Sequence, residues 1–218
     1  MVWQRRLQNG RLGVVAGSNG LPHWEQVGRI GEDIAGVWIV FVGGCGRGRI
    51  DTMSSYHQHR FGDVESYLHH RPPYLLVQRI ESIEDRLVRT SRQLTGDEPF
   101  LQGHFPGAPI MPGAMMQEMT TQTAGILIAA NFNPMPSFDT TDPFHNEFAL
   151  GVLVKIRSAR YRGFARPGET LVVTAELTEN IGVAFDFVGR VMVGDKTIMR
   201  NEFQLSNIPS KQLQGVAS

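Results

Sequence analysis

Cysteine is nearly missing from this chain: Cys45 is the only one among 218 residues. A single thiol excludes an internal disulfide framework and any CxxC metal or redox motif. A reducing compartment is the simpler setting, and a cytoplasmic location is the expectation. Charge is sparse and balanced. Lys plus Arg and Asp plus Glu number 21 each, a formal net charge of zero, and no long basic run offers a footprint to nucleic acid. Long apolar runs are missing too. Residues 34–44, IAGVWIVFVGG, make about half the ~20 residues that a membrane-spanning helix needs. Acidic Glu32 and Asp33 precede the run, without the charged n-region of a signal peptide. No membrane span is expected.

A dinucleotide loop is also lacking. VWIVFVGGCGRG (residues 37–48) is a β-like run followed by glycines, but its spacing is not GxGxxG. No amphipathic helix follows, and Asp51 comes too soon to be a ribose-binding acid. Residues 1–52 therefore read as a Gly-rich extension, disordered or a non-native start ahead of Met53, with too little apolar surface to offset the entropy of ordering.

What is there begins near Ser54. An apolar fraction of 41% is enough for a core, and the length suits one domain, placed at 53–208 with a frayed tail at 209–218. DVESYLHH (63–70) reads as a short helix with Asp63 as N-cap and a cation-favouring end at His69 and His70. Residues 74–83 and 86–94 read as strands joined by a turn at Glu84 and Asp85. Pro112 opens a helix running to about Phe132. Four β-like runs follow, at 148–161, 169–179, 184–193 and 197–205, separated by the turn signals RPGE, ENIG and VGDK. One long helix whose Met115, Met116, Met119, Ala124, Ile126, Leu127, Ala130 and Phe132 cover nearly its whole circumference, with about six strands, defines an α+β domain: an antiparallel sheet wrapped around a central helix.

Within that helix Glu118 is anomalous. Burying an ionised carboxylate without a partner costs several kcal/mol, roughly, so burial should raise its pKa toward neutrality and suit it to proton donation. Fourteen residues earlier, His104 sits in a Gly/Pro-rich loop, within GHFPGAPIMPGAMMQEMTTQ (103–122).

This block resembles the FabZ-type 3-hydroxyacyl-(acyl carrier protein) dehydratases of the hotdog fold. YLHHRPPYLLVQRI is similar to the family's LPHRYPFLLVDRV, and ARYRGFARPGETL to ARFKRPVxPGDxL. Sister enzymes that also isomerise share the GHFPG and MPG blocks but carry Asp where this chain has Glu118. The resemblance implies dehydration of (3R)-3-hydroxyacyl-(acyl carrier protein) to the trans-2-enoyl product in fatty acid biosynthesis, without metal or other cofactor. It implies His104 as the catalytic base and Glu118 as the acid, meeting across a homodimer interface, with further assembly into a trimer of dimers. Gly113 would offer its N–H to the thioester oxygen, and Phe105, Pro112 and Gln122 would contact substrate. Strand alternation puts Arg160 and Arg162 on one face and Arg157 on the other, so the 160/162 pair is the expected contact for an acidic acyl carrier protein. Dehydration coupled to isomerisation, hydration of an enoyl thioester and non-catalytic acyl binding are the alternatives. The helix reads AMMQEMTTQ where VLIxEALAQ is usual, placing Thr120 and Thr121 at small apolar positions, and the loop at 133–146 is longer than the family norm.

Overall fold

The computed structural model describes residues 56–142 and 144–213; the extension expected at 1–52, with Cys45 and Met53, lies outside the described residues. Six strands, β1 (Arg79–Ile83), β2 (Leu87–Gln93), β3 (Phe148–Tyr161), β4 (Thr170–Ile181), β5 (Ala184–Val193) and β6 (Lys196–Pro209), form one sheet in the order β1-β2-β4-β5-β6-β3. Every neighbouring pair is antiparallel. A short helix α1 (Pro99–Gln102) precedes the long helix α2 (Gly113–Asn131). The latter packs on β2, β3, β4, β5 and β6, so the sheet wraps around it.

Strand alternation builds the inner face. Leu177, Phe187 and Phe203 lie in one cross-strand row, and Val173, Val191 and Met199 in another. The first row belongs to a cluster around the C-terminal half of α2, from Ala124 to Ala130. The second belongs to a cluster with Met111, Met116 and Met119 at the N-terminal half. Each buried aromatic or aliphatic side chain contributes about 1.5–3 kcal/mol.

A polar seam separates the two clusters. Thr90 and Thr123 share a hydroxyl–hydroxyl bond of 2.8 Å. The Asn201 amide donates to Gln117 Oε1 and Thr120 Oγ1, each at 2.8 Å. The Thr120 and Thr121 hydroxyls also donate to the Gln117 carbonyl, at 2.6 and 3.2 Å, which removes the penalty of putting hydroxyls at apolar positions. Gly189 lets the helix approach here: a Cβ on it would collide with Asn201 Oδ1 and stand 2.8 Å from Thr120 Cβ. Gly189→Ala is expected to destabilise the fold by about 1–3 kcal/mol through overpacking, read as a lower urea midpoint at unchanged slope.

Several local expectations are corrected. Residues 63–70 form a turn rather than a helix. Asp63 still accepts the Ser66 N–H at 2.8 Å, but the chain turns away after one turn. His69 and His70 therefore end no helix, and burial pushes both imidazoles below the usual histidine range instead of favouring the cation. β1 begins at Arg79, because the Tyr74 carbonyl and Leu76 N–H are taken by a side chain of α2 and not by a strand. The loop before α2 contains α1. Pro112, with ψ at 138°, is the N-cap and not the first helical residue. The tail keeps regular structure beyond residue 208, as β6 runs to Pro209 and a 3-10 turn follows at Ser210–Leu213.

Candidate active site

His104 is positioned by a closely bonded loop between α1 and α2. Its N–H reaches the Leu101 carbonyl at 3.2 Å, and its carbonyl accepts from Ile110 N–H at 2.9 Å. The Ala108 N–H returns to the Phe105 carbonyl at 2.9 Å, closing a turn in which Gly107 takes a φ of +79° that a side chain would resist. The Met111 N–H then bonds to the Ala165 carbonyl at 2.8 Å and fixes the loop to the domain. His104 Nδ1 lies 3.2 Å from the Ile110 carbonyl. A carbonyl only accepts, so Nδ1 carries the proton of the neutral ring and Nε2 presents a lone pair. The exposed Phe105 ring stacks on the imidazole at 4.3 Å.

Gly113 is the first residue of α2, and no side chain caps this helix end. The Tyr161 ring lies so close that a Cβ on Gly113 would be 3.0 Å from it. The helix dipole and the unsatisfied first-turn N–H groups make this end a seat for developing negative charge.

Glu118 lies in the second turn of α2, its side chain 17% exposed. Burial raises its pKa above the usual carboxylate range, against the opposing influence of the Gln122 amide and the Tyr74 phenol, which favour the ionised form. Gln122 Nε2 donates to Glu118 Oε1 and to the Tyr74 carbonyl, both at 2.9 Å, while its Oε1 accepts the Leu76 N–H at 2.8 Å. Gln122 is only 1% exposed. This corrects its expected substrate contact: the amide is consumed inside the protomer, tying the 74–76 segment to the Glu118 carboxyl.

Among the described residues no hydrogen bond or ion pair joins His104 to Glu118. Instead His70 Nε2 lies 3.7 Å from Glu118 Oε1, and the Tyr74 ring stacks on His70 at 5.9 Å. Neither neighbour was expected beside Glu118. They come from a segment more than 40 residues away in sequence, and no periodicity reports such a contact.

The basic residues also differ from expectation. Arg157 and Arg160 share the outer face of the sheet: Arg157 bonds Asp186 Oδ2 at 2.8 Å, and Arg160 pairs with Arg200, which pairs with Arg190. A register shift between Ile156 and Ser158 inserts one residue and reverses the alternation. Arg162 lies just past β3, its N–H on the Ile198 carbonyl at 2.7 Å. No cluster of three or more metal-ligating side chains occurs among the described residues, and no described helix is long and apolar enough to cross a membrane.

A sheet wrapped around a buried helix is the hotdog fold. It is shared with the dehydratase heterocomplex ApeI:P from Xenorhabdus doucetiae, at a TM-score of 0.55 and 18% identity, over 71% of this chain and 96% of that one. Residues 68–202 match the FabA-like domain, and the chain belongs to that family. It is 33% identical over 140 residues to the 3-hydroxyacyl-(acyl-carrier-protein) dehydratase FabZ of Thiobacillus denitrificans, covering 64% of this chain and 90% of the relative. The relative of the same name from Ralstonia nicotianae is 35% identical over 152 residues, covering 69% and 87%.

Proposed function

We propose that this protein dehydrates (3R)-3-hydroxyacyl groups carried on acyl carrier protein to the trans-2-enoyl thioester, in fatty acid biosynthesis. The observation that carries the reading is Glu118, a largely buried helix carboxyl held by Gln122, with burial favouring its protonated form. His104 Nε2 removes the proton at C2. Glu118 protonates the C3 hydroxyl, which leaves as water, and the first-turn N–H of Gly113 stabilises the negative charge on the thioester oxygen. The imidazole ends protonated and Glu118 ionised; one proton transfer through solvent resets both.

The base and the acid meet across two copies of the chain. β3 supports this as the dimer seam. It is a 14-residue edge strand that exposes Leu153, Val154, Ile156 and Tyr161, and a long apolar edge left bare is an aggregation hazard that pairing removes. A cytoplasmic setting and assembly into a trimer of dimers complete the proposal.

The test is loss of 3-hydroxyacyl substrate and gain of the conjugated enoyl thioester by purified protein, with carrier-linked and short N-acetylcysteamine substrates compared. No turnover on either would remove the proposal. The carrier is acidic, so charge reversal at both Arg160 and Arg162 is expected to raise KM for the carrier-linked substrate about tenfold, with turnover of the short thioester near wild type. Equal losses on both substrates would assign these arginines to the fold.

A further inference from the structure

Three features take no part in the catalytic steps: the arginine row on the outer face, the polar seam under Gly189, and the side chains against Glu118. The arginine row is partly neutralised, since Arg190 pairs with Glu176, Arg200 with Glu202 and Arg157 with Asp186. The seam is explained by helix placement.

We propose that His70 and Tyr74 are positioning residues for Glu118, an imidazole and a phenol that clamp the carboxyl from the segment preceding β1 while Gln122 holds it along α2. His70 Nε2 stands 3.7 Å from Glu118 Oε1, and the Tyr74 phenol acts on the same carboxyl, favouring its ionised form. The two rings stack at 5.9 Å with an interplanar angle of 28°, so each fixes the other. The Tyr74 carbonyl is bonded to the same Gln122 amide that holds Glu118, so backbone, ring and carboxyl move together. Tyr74 takes the place of the phenylalanine in the pattern HRYPFLLVDR, which makes the hydroxyl a feature of this chain.

The long 133–146 loop anchors the clamp. Arg71 Nη2 and His69 Nδ1 both donate to the Thr140 carbonyl at 3.1 Å, and Thr140 Oγ1 donates to the Glu65 carbonyl at 2.6 Å. These contacts bracket His70 on both sides. Its Nδ1 is buried and lacks a protein partner among the described residues, so no hydrogen bond at that nitrogen fixes the tautomer or turns the ring from Glu118. Burial, assisted by Arg71, lowers the His70 pKa, while burial raises that of Glu118.

Among the described residues the titratable groups acting on or nearest to Glu118 are His70 and Tyr74, with Arg71 acting in turn on His70. The Tyr74 hydroxyl favours the ionised carboxylate, so removing it raises the Glu118 pKa further. An acid must be protonated to act, so activity falls as pH rises through its pKa, and a raised pKa moves that alkaline limb upward.

This inference rests on Glu118 being the acid, and the experiment separates the two. Tyr74→Phe and His70→Asn are made in the full chain, and the Glu118 carboxyl is titrated by carbon-13 NMR, assigned with Glu118→Gln. In parallel, the pH profile of kcat is recorded on a short 3-hydroxyacyl N-acetylcysteamine thioester. The expected result is a displaced Glu118 titration in both variants, upward in Tyr74→Phe, with the alkaline limb moved with it, and a plateau kcat about tenfold lower, with KM little changed. An unmoved Glu118 titration in both variants overturns the clamp even if activity falls, and so does a moved titration with wild-type kcat. Full activity of Glu118→Gln would instead sink the assignment of the acid, while the titration still judges the clamp.

Discussion

Glu118→Gln lowers dehydration at least about 10²-fold, the usual scale for loss of a general acid, and His104→Ala does the same for loss of the base. Neither change should unfold the protein. Glutamine keeps the volume of Glu118 and can still accept from Gln122, and His104 lies in a half-exposed loop held mainly by backbone hydrogen bonds. Thermal melts should therefore stay near wild type while turnover collapses. The paired experiment is sharper. When the two inactive proteins are mixed and exchange subunits at random, half of the dimers are hybrids with one intact site of two, so about a quarter of wild-type activity returns if the site is shared between copies. Demonstrated exchange with no recovery would place both residues in one protomer's site or remove them from the mechanism.

Ile156→Lys on β3 is expected to convert the protein to a folded monomer with turnover down by a comparable factor, about 10²-fold, because each monomer then lacks the opposite copy's base or acid. Ile156 is 48% exposed in the protomer although it pairs with Phe203 on the inner face. A lysine there costs the isolated fold little but leaves a charge in the seam between copies. Sedimentation should show the mass of a single chain, and the secondary-structure signal should be retained. An active monomer would overturn the shared site, and an active dimer would move the seam away from β3.

Much of the fold was legible because its signals are local. The limits of β3 and β5 follow from alternation bounded by clear turn residues, and the fully buried helix from apolar side chains around its whole circumference. The errors share a different cause. Residues 63–70 carry an N-cap and a helical composition, but the chain is drawn away by Thr140, about seventy residues on, which bonds Glu65, His69 and Arg71. β1 starts late because Gln122 takes backbone groups that a ladder would have used. The face of Arg157 was misread because one inserted residue reverses a period-two argument, and a bulge has no compositional mark here.

The candidate site divides along the same line. His104 and Glu118 stand out in sequence because a lone carboxylate in an apolar helix and a histidine among glycines and prolines each break a local pattern. Gln122 reads in the sequence as a substrate contact, yet its environment is decided by Tyr74 and Leu76. His70 and Tyr74 break no pattern at all, and only the folded chain sets them against Glu118.

The hydrogen-bonded seam through the core has a consequence for how this helix can err. A helix in a wholly greasy trough can creep along its axis, exchanging one methionine for the next with little loss, since apolar contact has no direction. Thr90–Thr123 and the Asn201 fork to Gln117 and Thr120 are directional, and only one axial setting satisfies them together. They act as a detent. Gln117 is the immediate neighbour of Glu118, so the sheet-side bonds index the carboxyl's height to within a fraction of the 1.5 Å helical rise, and the address of the acid is written on the side of the helix that substrate does not reach.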